Sequence, residues 1–435
     1  MRAPLATSLL IAFMASCSDK SSDDDAAGAA GMPRGGAMST GGAGTGGSSG
    51  ASGAGSGGAP AGGAGGAGNA GMSSGGAGGS AGAGMAGSGM AGASGSGAGT
   101  AGAGGAATTG CVVPAAATDQ PTLLSQTGCV DPADPTKAAA SLIPYDVNSP
   151  LWSDGASKER YVSLPVGAKI HVKDCTAEPD TCMPSQSGGT DEDEGHWNLP
   201  VGTVLMKVFI IGGKRIETRL LHHRNTTTWT GYSYEWNDDE TEATLLPDQK
   251  DKPVGNQVWH YPNGSQCLEC HTKAGGRSVG PTTAQMNRDY AYAEGTMNQL
   301  DKFEALGLFD APPPRIAGYP DPQGTADLEL RARSYLQTNC SICHRPGGTL
   351  SDVDLRFVTP FKDTSLCNHP VNMATGDPNV PQTRLVPGEP TESTLSFRMH
   401  DTTTYRMPKI GSTVVDTDGT KVIDDWITSI ESCPP

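Results

Sequence analysis

Hydrophobic and polar positions change their period along this chain. Between residues 143 and 260 apolar residues recur at every second position or run together in short blocks, which is the pattern of strands. The stretch "TVLMKVFIIGGKRIETRLLHH" is two strand-like runs around Gly212 and Gly213, and a Gly-Gly pair between such runs predicts a two-residue hairpin. "WTGYSYEWN" continues with Tyr232, Tyr234 and Trp236 on one face. Five of the six tryptophans lie between Trp152 and Trp259, so this half is expected to hold an aromatic core in a sandwich of short antiparallel strands. Residues 282–292 and 296–306 read as short helices. From about Thr325 the pattern turns helical. "TADLELRARSYLQTNCSICH" carries Leu328, Ala332, Tyr335 and Leu336 at helix spacing, with Asp327 and Glu329 in the first turn, where the dipole favours acids. A last helix is expected in "VVDTDGTKVIDDWITSIES", with Val422, Ile423, Trp426, Ile427 and Ile430 on one face and Asp416 or Thr417 as its cap.

The expected fold is α+β and multidomain: a β-rich, sandwich-like part at 111–260, a connecting segment at 261–324 and an all-α part at 325–435. The N-terminal quarter belongs to neither class. Residues 22–110 are almost only Gly, Ala and Ser, a composition that cannot bury enough surface to offset its ordering entropy. As a flexible coil of about 88 residues it would reach roughly 50 Å. Ahead of it, "MRAPLATSLLIAFMASCSDKSS" places Arg2 before an apolar stretch at 3–14 that is shorter than a spanning helix. "MASC" then resembles a bacterial lipobox, which makes 1–17 a lipoprotein signal peptide and Cys17 the lipidated residue; an ordinary cleaved signal peptide is the alternative. Ser18, rather than Asp, after that cysteine points to the outer membrane. The expected mature protein is exported and anchored by lipid, with the linker as a tether.

Charge narrows the partners. The chain carries a formal −16, of which residues 1–110 contribute only −1. Nucleic acid is not expected as a partner; a basic redox protein fits the acidity, and acidity for solubility alone is the alternative. The acidic run "TDEDEG" at 190–195 reads as a solvated turn or a calcium loop.

Two short motifs carry the chemistry. "SQCLECHTKAGG" and "YLQTNCSICHRPGG" each contain CxxCH. With 11 cysteines and 9 histidines in 435 residues, chance supplies roughly 0.01 such motifs or fewer. Zinc would want a second Cys/His pair nearby, and the two pairs lie about 70 residues apart. A thioredoxin-like pair would follow a buried strand at a helix start, and neither context fits. Covalent haem accounts for the histidines as well. The thiols of Cys267 and Cys270, and of Cys340 and Cys343, add to vinyl groups, and His271 and His344 become proximal iron ligands. The expected cofactors are therefore two covalently bound haems c. With Cys17 assigned to lipid, nearest neighbours among the rest suggest pairing 111–129, 175–182 and 367–433, in keeping with an oxidising compartment.

The order "IPYDVNSPLWSDGASKERYVSLP", "LPVGTVLMKVF", "WTGYSYEWNDDETEATLL", "CLECH" and "CSICHRPGG" resembles a family of exported bacterial dihaem c-type cytochromes, mostly uncharacterised. The similarity covers nearly all of 143–345. The part from 325 onward resembles a class I cytochrome c, in which a helix entering CxxCH crosses a C-terminal helix beside the haem. That likeness implies a methionine before the last helix as sixth ligand, and "YRMPKIG" supplies Met407, stiffened by Pro408; Met399 and His400 are rivals. It also implies that the Pro346 carbonyl holds the His344 imidazole through its Nδ1–H. For the first haem His260 is the named candidate, with Met286, Met297, His222, His223 or no protein ligand as alternatives.

Function follows in three forms. The leading expectation is a tethered electron carrier that exchanges electrons with other redox proteins. A haem-dependent, peroxidase-like oxidoreductase using the first haem is the second. A β-rich binding module with accessory haem is the third.

Overall fold

A six-stranded antiparallel sheet organises the first half of the described chain. The computed structural model describes residues 110–173, 195–372 and 376–435, all within one compact unit, Ser96–Pro435. The expected signal peptide with Cys17, the expected linker up to residue 109, the expected 175–182 pairing and nearly all of the acidic run lie outside the described residues.

The chain begins with a ribbon, β1 (Val130–Asp131) and β2 (Asp134–Ala138). The sheet follows: β3 (Ile143–Tyr145), β4 (Ser157–Ser163), β7 (Val204–Ile211), β8 (Lys214–His223), β9 (Trp229–Trp236) and β10 (Ala243–Leu245), with β5 (His171–Val172) and β6 (Trp197–Asn198) as a separate ribbon between. Its spatial order is β10-β9-β8-β7-β4-β3. The β7–β8 turn is the expected hairpin: Gly212 and Gly213 have φ of 59° and 81°, which a two-residue primed turn requires.

Strand alternation gives the sheet two different faces. On one, Val204, Met206, Leu220, Tyr232, Tyr234 and Trp236 pack against Leu124, Val130 and Leu142 of the N-terminal segment. On the other, Val162, Leu205 and Leu221 pack against Tyr145, Trp197, Met286, Leu300 and Phe303. The covering layers are ribbons, loops and helices. Among the described residues the β-rich part is one large sheet with four two-stranded ribbons, in place of the expected sandwich.

After β11 (Lys250–Val254) and β12 (Gln257–Tyr261) come α1 (Gly264–Cys270) and the single turn α2 (Thr283–Met286). The helical expectation for 282–306 holds only at its ends. Its middle is a hairpin of β13 (Asp289–Tyr292) and β14 (Gly295–Asn298), and α3 (Gln299–Ala305) follows. Gly295 at φ 131° turns the chain there, and Tyr290 and Tyr292 alternate as strand residues do.

The C-terminal segment contains α4 (Leu328–Asn339), α5 (Thr394–His400) and α6 (Thr417–Ser429), joined by long irregular connections. Asp327 caps α4 by accepting from the Glu329 and Leu330 amides, and Asp416 caps α6 by accepting from Gly419 N. Ala332, Tyr335 and Leu336 of α4 bury against Val422, Ile423, Trp426 and Ile427 of α6. Disulfides join Cys111 to Cys129 and Cys367 to Cys433, as nearest-neighbour pairing suggested. Among the described residues no helix is long and apolar enough to cross a membrane.

Candidate functional site

The first CxxCH occupies the end of α1. Asn263 and Gln266 form a reciprocal capping box at its start, and the helix lies on β9 where Gly231 leaves room. A Cβ at Gly231 would stand 2.6 Å from both Cβ and Sγ of Cys267, so only glycine lets the thiol settle on the sheet.

At the next turn His271 is held from behind. Its Nδ1 meets the Arg277 carbonyl at 2.5 Å, and Arg277 Nη1 donates back to the His271 carbonyl at 3.0 Å. An Nδ1–H donated to a carbonyl leaves Nε2 with its lone pair, the tautomer a metal-binding imidazole needs. Burial, aided by nearby Lys207, pushes His271 down to about 3, so the ring is neutral at ordinary pH. Burial also pushes Cys267 up to about 11 and Cys270 and Cys340 up to about 12. Such thiols lack the low pKa of an attacking redox cysteine.

The second CxxCH follows α4 directly. Gly348 N donates to the Arg345 carbonyl, and a Cβ at Gly348 would lie 2.3 Å from the Cys343 carbonyl oxygen, which accounts for the glycine. Burial pushes His344 down to about 4. Its Nδ1 is buried with no hydrogen-bond partner among the described residues, so the expected Pro346 carbonyl contact is absent.

The two motifs touch. Thr272 Oγ1 donates to the Ile342 carbonyl at 2.8 Å, Arg345 Nη1 donates to the Ala274 carbonyl at 2.9 Å, and Cys343 Sγ lies 3.6 Å from the Glu269 carbonyl. Segments about 70 residues apart in the chain are therefore neighbours in space.

A cleft opens beside them, enclosing about 1200 Å³ of empty space with its solvent-open part included. Cys267, Cys270, His271 and His260 line one side, Ile342 and Thr338 come from the second motif's segment, and Lys158, Lys207, Phe209 and Arg219 project from the sheet. Pro408, Ile410 and Gly411 close it. The "SPLWSDG" stretch fastens that closing loop to the sheet side: Trp152 Nε1 donates to the Val414 carbonyl at 3.0 Å, and Asp154 Oδ1 accepts from Val414 N at 2.8 Å. Ser149 Oγ also donates to the Ser334 carbonyl of α4 at 3.0 Å.

The candidate sixth ligands divide clearly. His260 lines the cleft, but its Nδ1 contacts Asp251 at 2.7 Å and its Nε2 contacts Gln266 Oε1 at 3.1 Å. His222 packs on Tyr232, on the face of the sheet away from the cleft, and Met286 is sealed in a core. His223 stacks on Trp229 with ring centroids 4.3 Å apart, and Met297 is exposed on β14. Met407 is half-buried, its amide donating to the Arg398 carbonyl, and its neighbours border the first motif's cleft. Met399 packs into the α4–α6 core with Cys340, while His400 pairs with Asp424.

Sequence reasoning missed the cations of the cleft. Their signal was a charged residue inside an apolar strand run: Lys207 in "VLMKVFII" and Arg219 in "IETRLL". Comparison with protein-family models, with curated proteins and with solved structures finds no match.

Proposed function

We propose that this chain is a dihaem c-type cytochrome, tethered to a membrane through lipid on Cys17, that passes electrons between other redox proteins outside the cytoplasm. The observation that carries the reading is the direct contact between two CxxCH segments, each with its histidine half-buried and neutral, beside a cleft that Cys267, Cys270 and His271 line. Cys267 and Cys270 would hold one haem and Cys340 and Cys343 the other, with His271 and His344 as ligands. Haem supplies a reversible one-electron change at iron. The protein's part is to present a neutral imidazole, oriented at His271 by the Arg277 carbonyl, and to keep the two attachment segments in contact. The class I cytochrome likeness of 325–435, with Met407 as sixth ligand at the second haem, belongs to this proposal. So does His260 at the first, where ligation requires release of its Gln266 contact.

The test is the optical and EPR spectrum of the purified protein, oxidised and reduced, beside Met407→Ala and His260→Ala. Two low-spin six-coordinate haems are expected for the wild type, with the methionine–iron band lost in Met407→Ala. Repeating this change in a Cys267→Ser/Cys270→Ser background assigns Met407 to its haem. A five-coordinate high-spin signal with peroxide turnover would instead favour the oxidoreductase reading, which the open cleft at the first motif supports.

A further inference from the structure

Three adjacent strands carry a cation at the same level of the ladder. Register pairs Arg160 of β4 with Lys207 of β7, and Lys207 with Arg219 of β8. All three line the cleft, and so does Lys158, two positions from Arg160 on the same face of β4. Like charges directly opposite one another on a sheet are destabilising, so such a row requires anions. The protein supplies only some of them. Asp146 meets Arg160 at 2.7 Å, and buried Glu217 holds Arg219 through two 2.8 Å contacts.

Among the described residues the two lysines hydrogen-bond to backbone carbonyls alone, with Lys158 Nζ also 5.8 Å from the centre of the Phe209 ring. Lys158 Nζ donates to the Leu151 and Ala156 carbonyls at 2.8 and 3.1 Å, and Lys207 Nζ lies 3.4 Å from the Val279 carbonyl. Neither has a carboxylate partner among the described residues. Burial, with Arg160 and Arg219 alongside, pushes the Lys207 amine down to about 7, as expected for a cation short of a counter-charge.

Position says what is missing. Cys267 packs over Gly231 of β9, and β4 lies three strand spacings away, roughly 14 Å at about 4.8 Å each. A flat macrocycle linked at that cysteine, with carboxylate arms on its opposite edge, would carry those arms to the Lys158 and Arg160 side.

We propose that Lys158, Arg160, Lys207 and Arg219 form a carboxylate-binding floor. This rests on the haem reading above, because the nearest source of carboxylates is the propionate pair of a haem attached at Cys267 and Cys270. A small soluble carboxylate is the other source.

The experiment uses the full chain matured in a host that attaches c-type haem, with added porphyrin mass recorded for each sample. Lys158→Gln, Lys207→Gln and the conservative Lys207→Arg are compared with wild type by redox titration, with and without acetate as probe. If the haem supplies the carboxylates, each glutamine variant favours the oxidised first haem about tenfold, a fall of about 59 mV for one electron. Lys207→Arg stays near wild type, and acetate changes nothing. If a soluble carboxylate is the occupant, acetate shifts the wild-type potential saturably and Lys207→Gln abolishes that response. Unchanged potentials in both glutamine variants, together with no acetate response, overturn the proposal. Absence of porphyrin mass in the wild type overturns the haem reading instead. The floor is then read by acetate-dependent thermal stabilisation of wild type and its loss in Lys207→Gln; no such stabilisation overturns the proposal as well.

Discussion

Replacing Gly231 by alanine puts a methyl group 2.6 Å from both Cβ and Sγ of Cys267. Carbon contacts settle at about 3.5–4.0 Å, so the overlap is about 1 Å, and α1 or β9 must move by that amount. Overpacking of this size costs about 1–3 kcal/mol. Gly231 is not among the residues with positive φ, so alanine suits its backbone, and the substitution on its own would gain about 0.5–1 kcal/mol of strand stability. A net loss therefore measures the contact. The assay is urea unfolding of the full chain, with a second cycle in a Cys267→Gly background, where the obstructing side chain is gone and the penalty should vanish. On the proposed haem attachment, Gly231→Ala is also expected to lower haem occupancy at the first motif, because Cys267 is displaced from its seat. Stability within about 0.5 kcal/mol of wild type in both backgrounds would refute the placement of Cys267 on β9, and with it the cleft described above.

Other expectations follow from the same packing. His222 is fully buried, neither ring nitrogen has a partner among the described residues, and burial pushes it from 6.5 to about 4. Its folded pKa lies below its unfolded one, so its contribution is intact above about pH 6.5 and is lost as pH falls towards 4, by roughly 3 kcal/mol; in His222→Leu, chemical unfolding between pH 7 and 4 should lack that part of the slope. Trp426→Ala empties the α4–α6 crossing, where the indole meets Phe361 edge-on with centroids 5.0 Å apart, and should cost about 3–5 kcal/mol by urea titration. Thr272→Val removes the hydroxyl that bridges the motifs, costing about 1 kcal/mol without lowering haem content by mass. Glu217→Ala strips Arg219 and the Trp259 indole N–H of their shared acceptor and should cost about 3 kcal/mol.

What was legible in the chain was what rests on near neighbours. The Gly212-Gly213 turn follows from the φ its two residues must adopt, and the Tyr232, Tyr234, Trp236 face follows from strand period. Helix α6 could be read from its cap and apolar stripe because Asp416 and the buried Val422, Ile423, Trp426 and Ile427 lie within a few turns of one another. The 289–298 hairpin reads as helix in sequence because its alternation is only four residues long on each arm and Gly295 alone marks the turn. The contact between the motifs could not be read at all. It is made by Thr272 and Arg345 side chains against the backbone carbonyls of Ile342 and Ala274, and a carbonyl acceptor leaves no trace in residue identity. The cation row was hidden for a related reason: Arg160, Lys207 and Arg219 become opposite one another only through the register of three strands, which a one-residue slip would undo.

Intact mass under denaturing conditions tests covalent haem attachment most directly. Full-length protein matured in an exporting host is compared with Cys267→Ser/Cys270→Ser and Cys340→Ser/Cys343→Ser. Two added porphyrin masses are expected in the wild type and one in each double variant. Wild-type protein without added porphyrin, from a host that loads a reference c-type cytochrome in parallel, would contradict that attachment.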